Sequence, residues 1–182
     1  KFKKKIIYIV YKELPSKIEK ININDSEEQK SIIIKRNAYY RESGQRNYIS
    51  KGLVKASNND LILISDVDEI PNLKNINFNN FKDKIFFFKQ DMFYYKFNLK
   101  LPNFKWIGTR ACKKKDLLSP QWLRNIRNKN YPFYRIDAFF SKKKYTNVEF
   151  INSGGWHFSN IKKAEEIRYK LISYLHHREF DL

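Results

Sequence analysis

The sequence is poor in the residues that cross-link a chain or loosen it. Among 182 residues there is one cysteine, Cys112, and there are only five glycines and five prolines. A single cysteine excludes a disulfide framework within the chain and a zinc site built from several thiolates. The low glycine and proline content, together with 42% hydrophobic and 16% aromatic residues, excludes a disordered or collagen-like chain. We therefore expect a folded chain with a core of its own.

Long apolar runs are absent as well. The runs that exist, such as those at residues 6–11 and 86–88, are much shorter than the roughly 18 residues that a membrane-spanning helix needs. Nor does the sequence contain the basic start, apolar stretch and small-residue cleavage site of a signal peptide. We therefore expect a cytoplasmic protein without a transmembrane segment, for which peripheral contact with an anionic membrane surface stays open.

Acidic residues are heavily outnumbered. There are 19 aspartates and glutamates against 37 lysines and arginines, which leaves a formal net charge of +18. An excess of this size favours attraction to polyanions, whether nucleic acid, anionic lipid or phosphorylated small molecules. The basic residues are scattered, and no helix-turn-helix, zinc-finger or ribonucleoprotein motif is present. We therefore expect no specific nucleic-acid partner, and a basic nucleic-acid-binding module stays open as an alternative.

The chain alternates between segments typical of strands and segments typical of helices. β-branched and aromatic runs predict strands, and apolar residues with helical spacing predict helices. The predicted strands are residues 5–11, 61–64, 84–98 (as one strand or a hairpin) and 106–112. The predicted helices are residues 39–56, a helix that begins at Ser119 and Pro120, and residues 162–176, with a loop at residues 18–30. This alternation favours an α/β fold with a mainly parallel sheet, in a single domain over residues 1–182.

The segment most informative about chemistry is LILISDVDEIP, at residues 61–71. An apolar strand, predicted to be central and covered on both faces, leads into a loop with Asp66, Asp68 and Glu69. Ligands bind at this end of the strands in open α/β sheets. Neighbouring carboxylates repel each other, and a hard cation such as Mg²⁺ or Mn²⁺ offsets the repulsion. One aspartate would then bind the metal and the other would act through water or hold a ribose. The alternative is a turn whose carboxylates accept hydrogen bonds from local amides.

Two further features accompany the carboxylates. Gly154 and Gly155 predict a tight turn that places Trp156 and His157 on a short segment. An imidazole there could complete the shell of a metal held by the aspartates, although a lone histidine is commonly a packed or hydrogen-bonded residue. On the helix that precedes the carboxylate strand, Arg46 could pair with phosphate oxygens, or could be a solvated residue of the helix surface.

The order of these segments resembles glycosyltransferase family 17, the family of β-1,4-mannosyl-glycoprotein 4-β-N-acetylglucosaminyltransferases. The resemblance runs from about residue 5 to the end of the chain. It is carried by QRN at 45–47, GL at 52–53, ISDVDEIP at 64–71 and GGWHFS at 154–159, followed by Lys170 and His176 on the last predicted helix. Family members begin with an earlier strand and an acidic loop, so the resemblance implies that this chain is N-terminally incomplete.

The resemblance implies a GT-A-type fold, with a Rossmann-like, mainly parallel sheet and flanking helices. It implies inverting transfer of N-acetylglucosamine from UDP-N-acetylglucosamine to a glycan acceptor, with Mn²⁺ or Mg²⁺ as the cation. By position, Asp66 and Asp68 match the motif for the metal and the nucleotide sugar, and His157 lies in the GGWHFS block as a further metal ligand. Arg46 and Lys170 are expected to bind the donor.

Inverting transfer needs a carboxylate base within hydrogen-bond reach of the acceptor hydroxyl. Glu69, Asp91 and Asp137 are the candidates, and we prefer Asp91 because it is a lone acid in an aromatic strand. The alternative for Asp91 is a structural ion pair. The tryptophans could stack on sugar rings or pack in the core. A metal-dependent phosphodiesterase or nuclease would also use clustered carboxylates, but it would need further acids around a second ion.

Overall fold

A computed structural model describes residues 3–74, 76–77 and 85–173. Contacts within the chain divide it into two compact units, of which one comprises Lys1–Lys55 and Lys162–Leu182 and the other comprises Ala56–Ile161. The first unit contains helices α1 (Glu27–Tyr48) and α4 (Ala164–Ser173). The second contains the sheet and helices α2 (Pro120–Asn125) and α3 (Ile136–Phe139). Short 3₁₀ turns cover Lys3–Lys5, Ile49–Leu53 and Lys114–Asp116.

Helix α1 is longer than the sequence pattern predicts. It begins at Glu27, inside the stretch predicted as a loop, because Ser26 and Gln29 form a capping box. The Ser26 hydroxyl accepts a hydrogen bond from the Gln29 amide (3.2 Å), and the Gln29 side chain accepts one from the Ser26 amide (2.8 Å).

Within the described ranges, no helix combines the length and the apolar character needed to cross a bilayer.

The predicted strand at residues 5–11 is wrong. After the 3₁₀ turn at Lys3–Lys5, the described residues 6–11 form no strand, and Ile6, Ile7 and Tyr8 are exposed. β-branched composition favours a strand only where a sheet edge and a packing surface receive it. The predicted last helix is confirmed over Ala164–Ser173, and the rest of that prediction lies outside the described residues.

The second unit is built on a curled mixed sheet of six strands. The strands are β1 (Leu61–Ile64), β2 (Glu69–Pro71), β3 (Ile85–Tyr94), β4 (Lys100–Lys113), β5 (Val148–Ile151) and β6 (Gly155–Ser159). Their order is β1-β4-β3-β6-β2, and β5 also pairs with β3. The predicted turn at Gly154 and Gly155 is confirmed, since it separates β5 from β6 and Gly155 has a φ of +124°.

The chain is therefore mixed α/β, and the prediction of a mainly parallel sheet is wrong. β3 pairs in parallel with β5 and β6, whereas the β3–β4, β1–β4 and β2–β6 pairs are antiparallel. The physical reason is the short connection after Tyr94, which returns the chain directly as β4 instead of through a crossover helix. Strand β1 is also not central, because it lies at the end of the strand order and pairs with β4.

Helix α2 covers one face of this sheet through its apolar side chains. It begins as predicted, with Pro120 in the first turn and the Ser119 hydroxyl accepting from the Trp122 amide (3.1 Å). Leu123 and the neighbouring Ile126 are buried. The Arg110 guanidinium of β4 lies 4.7 Å from the Phe87 ring centroid and donates hydrogen bonds to the carbonyls at the end of α2. Arg110 thus satisfies the carbonyl groups that a helix end leaves unpaired.

The burial of Cys112 gives a direct test of this packing. Cys112 lies on β4 between β1 and β3 with no exposed surface, and burial, together with the charge of Asp116, raises the pKa of its thiol to about 12. We expect a thiol reagent at pH 8 to react with the folded protein on the order of 100-fold more slowly than with the unfolded protein. Because Cys112 is the single cysteine, the reaction in guanidinium is the internal control. Rapid reaction in native buffer would contradict the buried position.

Candidate functional site around Asp68 and His157

The carboxylate segment connects β1 and β2, the strands at the two ends of the strand order. Strand β1 pairs with β4, whereas β2 pairs with β6, so the turn at residues 65–68 connects two strands that are not neighbours. The turn is closed by the Glu69 amide, which donates to the Asp66 carbonyl (3.0 Å). The Phe158 amide of β6 donates to the Asp68 carbonyl (2.9 Å). The backbone therefore holds Asp66 and Asp68 against the strand that carries His157.

Glu69 is a buried carboxylate with a full set of donors. Its side chain is 0% exposed, and it accepts hydrogen bonds from the Trp106 indole N–H (2.9 Å) and the Asp66 amide (3.1 Å). Arg124 donates to both carboxylate oxygens, at 3.0 Å each. A buried ion pair of this kind is stable only when its hydrogen bonds are satisfied, as they are here. The geometry favours an organising role for Glu69 over that of a base that must reach an acceptor hydroxyl.

Arg124 connects Glu69 to Asp66. Its Nη2 atom lies 2.8 Å from Asp66 Oδ2, and its Nη1 atom also donates to the Gly108 carbonyl of β4. Sequence reasoning missed this residue. No motif marks it, and the one available signal was an arginine in a short helix with a well-defined start at Ser119 and Pro120.

His157 faces Asp68 with a nitrogen that has no hydrogen-bond partner among the residues that the structure describes. The residue is 7% exposed, and its Nδ1 atom is buried and lies 3.9 Å from Asp68 Oδ1. The imidazole stacks on the Trp106 ring, with centroids 5.0 Å apart and an interplanar angle of 28°. The Trp106 indole N–H is fixed in turn by Glu69. The structure thus brings together SDVDEIP and GGWHFS, the two segments on which the sequence-based site prediction depends most.

The chemistry of the donors decides what kind of cation site is possible. In the part of the chain that the structure describes, no three His, Cys, Asp or Glu side chains form a group that could hold a metal. Asp66, which was predicted as a ligand with Asp68 and His157, is paired with Arg124. Of the three predicted ligands, Asp68 and His157 are left, and they supply one carboxylate and one imidazole. Mg²⁺ is commonly held by one or two carboxylates together with substrate phosphates. The pair fits such a shared site and does not fit a cage built from protein ligands alone.

Asp91 lies in an ion pair with two lysines. Lys105 donates to its Oδ1 atom, and Lys100 lies 3.0 Å from its Oδ2 atom. The hydrogen bond from Lys105 is the main cause that lowers the pKa of this carboxyl, and Lys100 adds to it. Asp91 is opposite Lys105 in the sheet, one residue beyond the pair of Gln90 and Trp106. Because side chains alternate along a strand, Asp91 is on the sheet face opposite to Trp106.

The remaining predicted residues lie elsewhere. Asp137, on α3, accepts hydrogen bonds from Arg135 (2.7 and 3.0 Å) and Lys144 (2.6 Å), and these cations, Arg135 first, hold the pKa of its carboxyl well below the usual range. Arg46 and Lys170 belong to the other compact unit, where Arg46 lies 2.8 Å from Glu42. Sequence reasoning therefore identified the Asp68–His157 pair, while the structure places Asp91 and Asp137 in ion pairs of their own.

Comparisons with protein-family models, with curated proteins and with solved structures gave no match for this chain.

Because Gly108 has no side chain, the side chains of Glu69, Gln90 and Trp106 occupy the space beside it. A Cβ atom at this position would overlap Gln90 Oε1 and would lie 2.7 Å from Trp106 Cδ1 and 2.8 Å from Glu69 Cδ. We expect Gly108→Ala to lower the free energy of unfolding by about 1–3 kcal/mol because the buried neighbours must shift. Urea denaturation measures the change. Gly52→Ala is the matched control, since its Cβ would meet only the flexible end of Ile9 at 3.0 Å. Equal midpoints for both variants would contradict this packing.

The Asp91 ion pair predicts a pH-dependent contribution to stability. Its carboxyl has a lowered pKa in the folded chain, so the stabilisation is present above about pH 4 and disappears as the pH falls through the folded-state value. We expect Asp91→Asn to lower the free energy of unfolding by about 0.5–1 kcal/mol at pH 7, since the pair is partly exposed. In urea titrations, the difference from the wild type should shrink between pH 5 and pH 3. A difference that does not change with pH would show that the ion pair is not its source.

Proposed function

We propose that the protein is a metal-dependent glycosyltransferase, which transfers N-acetylglucosamine from UDP-N-acetylglucosamine to a glycan acceptor with inversion. The observation that carries the proposal is the meeting of Asp68 and His157. They come from the two segments that resemble glycosyltransferase family 17, and their side chains lie 3.9 Å apart. The imidazole nitrogen that faces Asp68 is buried and has no hydrogen-bond partner within the described part of the chain. The more specific GT-A assignment also rests on the resemblance.

Asp68 and His157 would hold Mn²⁺ or Mg²⁺ together with the diphosphate of the donor. When bound, the cation supplies Lewis-acid stabilisation of the negative charge that grows on the leaving nucleotide, and this is worth several kcal/mol in comparable enzymes. The chain contributes a rigid frame for these two ligands. Trp106 fixes the plane of the imidazole by stacking, and Glu69 fixes Trp106 by accepting its N–H.

The acceptor hydroxyl needs a base, for which the sequence favours Asp91. In the structure, Asp91 lies on the sheet face opposite to Trp106 and to the imidazole stacked on it, so its position does not support this role. Its neighbours Lys100 and Lys105 hold the pKa of its carboxyl below the usual range, which makes it a weaker proton acceptor at neutral pH.

A phosphodiesterase would need further acids for a second metal ion. Within the described ranges, no group of three His, Cys, Asp or Glu side chains supplies them.

Calorimetric titration of UDP tests the proposal, first with Mn²⁺ and then with EDTA. We expect Mn²⁺ to strengthen UDP binding by at least about tenfold over EDTA, and we expect Asp68→Asn to remove most of that gain because a ligand of the cation is lost. Turnover is then followed as UDP released from UDP-N-acetylglucosamine, and it should fall in parallel.

Asp25→Asn is the matched control for this substitution. Asp25 is half-buried in the other compact unit, where its carboxylate accepts from the Asn22 amide (2.7 Å), and an asparagine oxygen can keep that bond. The control should bind UDP as the wild type does. UDP binding that is unaffected by EDTA, or equal in Asp68→Asn and the wild type, would contradict the assignment of the metal site.

A further inference from the structure

Arg124 has two carboxylate partners that differ sharply in burial. Glu69 is 0% exposed, Arg124 is 11% exposed and Asp66 is 39% exposed at their side chains. Removing one member of a buried pair leaves an uncompensated charge and is strongly destabilising, whereas a partly exposed pair contributes little to stability. The contact with Glu69 is therefore permanent in the folded protein, and the contact with Asp66 is the exchangeable one.

The donors of Arg124 limit what else it can bind. Its two terminal nitrogens donate to Glu69 Oε1, Glu69 Oε2, the Gly108 carbonyl and Asp66 Oδ2. The terminal nitrogens of a guanidinium carry four N–H groups, so these four contacts use them all. A phosphate that binds the terminal nitrogens takes most readily the N–H that Asp66 now holds, because the carboxylate of Glu69 is buried and that of Asp66 is partly exposed. Phosphate and Asp66 therefore compete for the same donor.

Asp66 belongs to the same turn as Asp68, the carboxylate of the Asp68–His157 pair. The buried Nδ1 atom of His157 lies 3.9 Å from Asp68 Oδ1 and has no hydrogen-bond partner among the described residues. An Asp66 carboxylate released from Arg124 would add a second acidic ligand beside this pair, which is the kind of ligand that Mg²⁺ and Mn²⁺ prefer.

We propose that Arg124 is a diphosphate-binding residue that couples nucleotide to cation, by exchanging Asp66 for the phosphates and so releasing Asp66 to the metal. The inference rests on the proposed function, because it assigns a role within the same nucleotide-sugar site. Linkage makes the coupling reciprocal: UDP raises the affinity for Mn²⁺ by the same factor by which Mn²⁺ raises the affinity for UDP.

Asp66→Asn separates this role from that of a simple metal ligand. The substitution leaves the Glu69–Arg124 pair intact, so the chain should fold, but it removes the charge that competes for Arg124. We expect UDP in EDTA to bind roughly 3–10-fold more tightly to Asp66→Asn than to the wild type, and the coupling with Mn²⁺ to fall by at least the same factor, because Asp66 no longer links the two ligands. Calorimetry of UDP alone, of Mn²⁺ alone, and of UDP with saturating Mn²⁺ measures each quantity.

Two controls make the result specific. Asp68→Asn removes a neighbouring carboxylate that has no contact with Arg124 in the described structure. It should weaken Mn²⁺ binding, and it should raise the metal-free UDP affinity less than Asp66→Asn does. Uridine lacks the phosphates, and its affinity should be the same for Asp66→Asn and the wild type. Arg124→Lys keeps the charge but not the forked donors, and it should weaken UDP binding in Mn²⁺.

The outcomes separate this inference from the proposed function. If Mn²⁺ strengthens UDP binding to the wild type but Asp66→Asn leaves the metal-free UDP affinity unchanged, the coupling role of Arg124 is overturned while the nucleotide site stands. An equal gain for uridine would overturn it as well, because the effect would not depend on the phosphates. If the folded wild type binds no UDP with Mn²⁺, both proposals fail.

Discussion

The buried ion pair between Glu69 and Arg124 is the interaction on which the geometry of the site depends. A carboxylate with no exposed surface stays charged only if donors and a cation surround it. Arg124, Trp106 and the Asp66 amide supply them, and they come from α2, β4 and the turn before β2. One carboxylate thereby fixes three parts of the second unit relative to one another. The orientations of Asp66 and of the imidazole stacked on Trp106 follow from it.

The position of Arg124 depends in turn on another arginine, Arg110, which is buried. Helix α2 has only six residues, and a helix of that length is not stable on its own. The Arg110 guanidinium binds the carbonyls at its end, and Leu123 and Ile126 bury its apolar side against the sheet. The position of Arg124 therefore depends on the contacts of Arg110. Arg110 holds the helix in place, and the helix presents Arg124 to the carboxylates, where a function in phosphate binding is proposed.

Local signals in the sequence predicted several elements well. Ser119 and Pro120 mark the start of α2, the glycines at 154 and 155 mark the turn before β6, and the aromatic run at 85–94 is a strand. Each depends on neighbouring residues, through a cap, a backbone conformation or side-chain alternation. Strand pairing was not predictable in the same way. The apolar run at 5–11 has strand composition but forms no strand, and β1 lies at an edge instead of in the centre.

The sequence by itself determined that Asp66, Asp68 and Glu69 follow an apolar strand and that His157 follows a glycine turn, since both are matters of local order along the chain. The tertiary structure alone decided which contacts each of these residues makes, and hence which role each is assigned. Burial and the reach of Arg124 set Glu69 apart as an organising residue, and the sheet register placed His157 beside Asp68 while Asp91 came to lie on the other face. These outcomes depend on contacts between distant segments, which the packing of the whole unit determines.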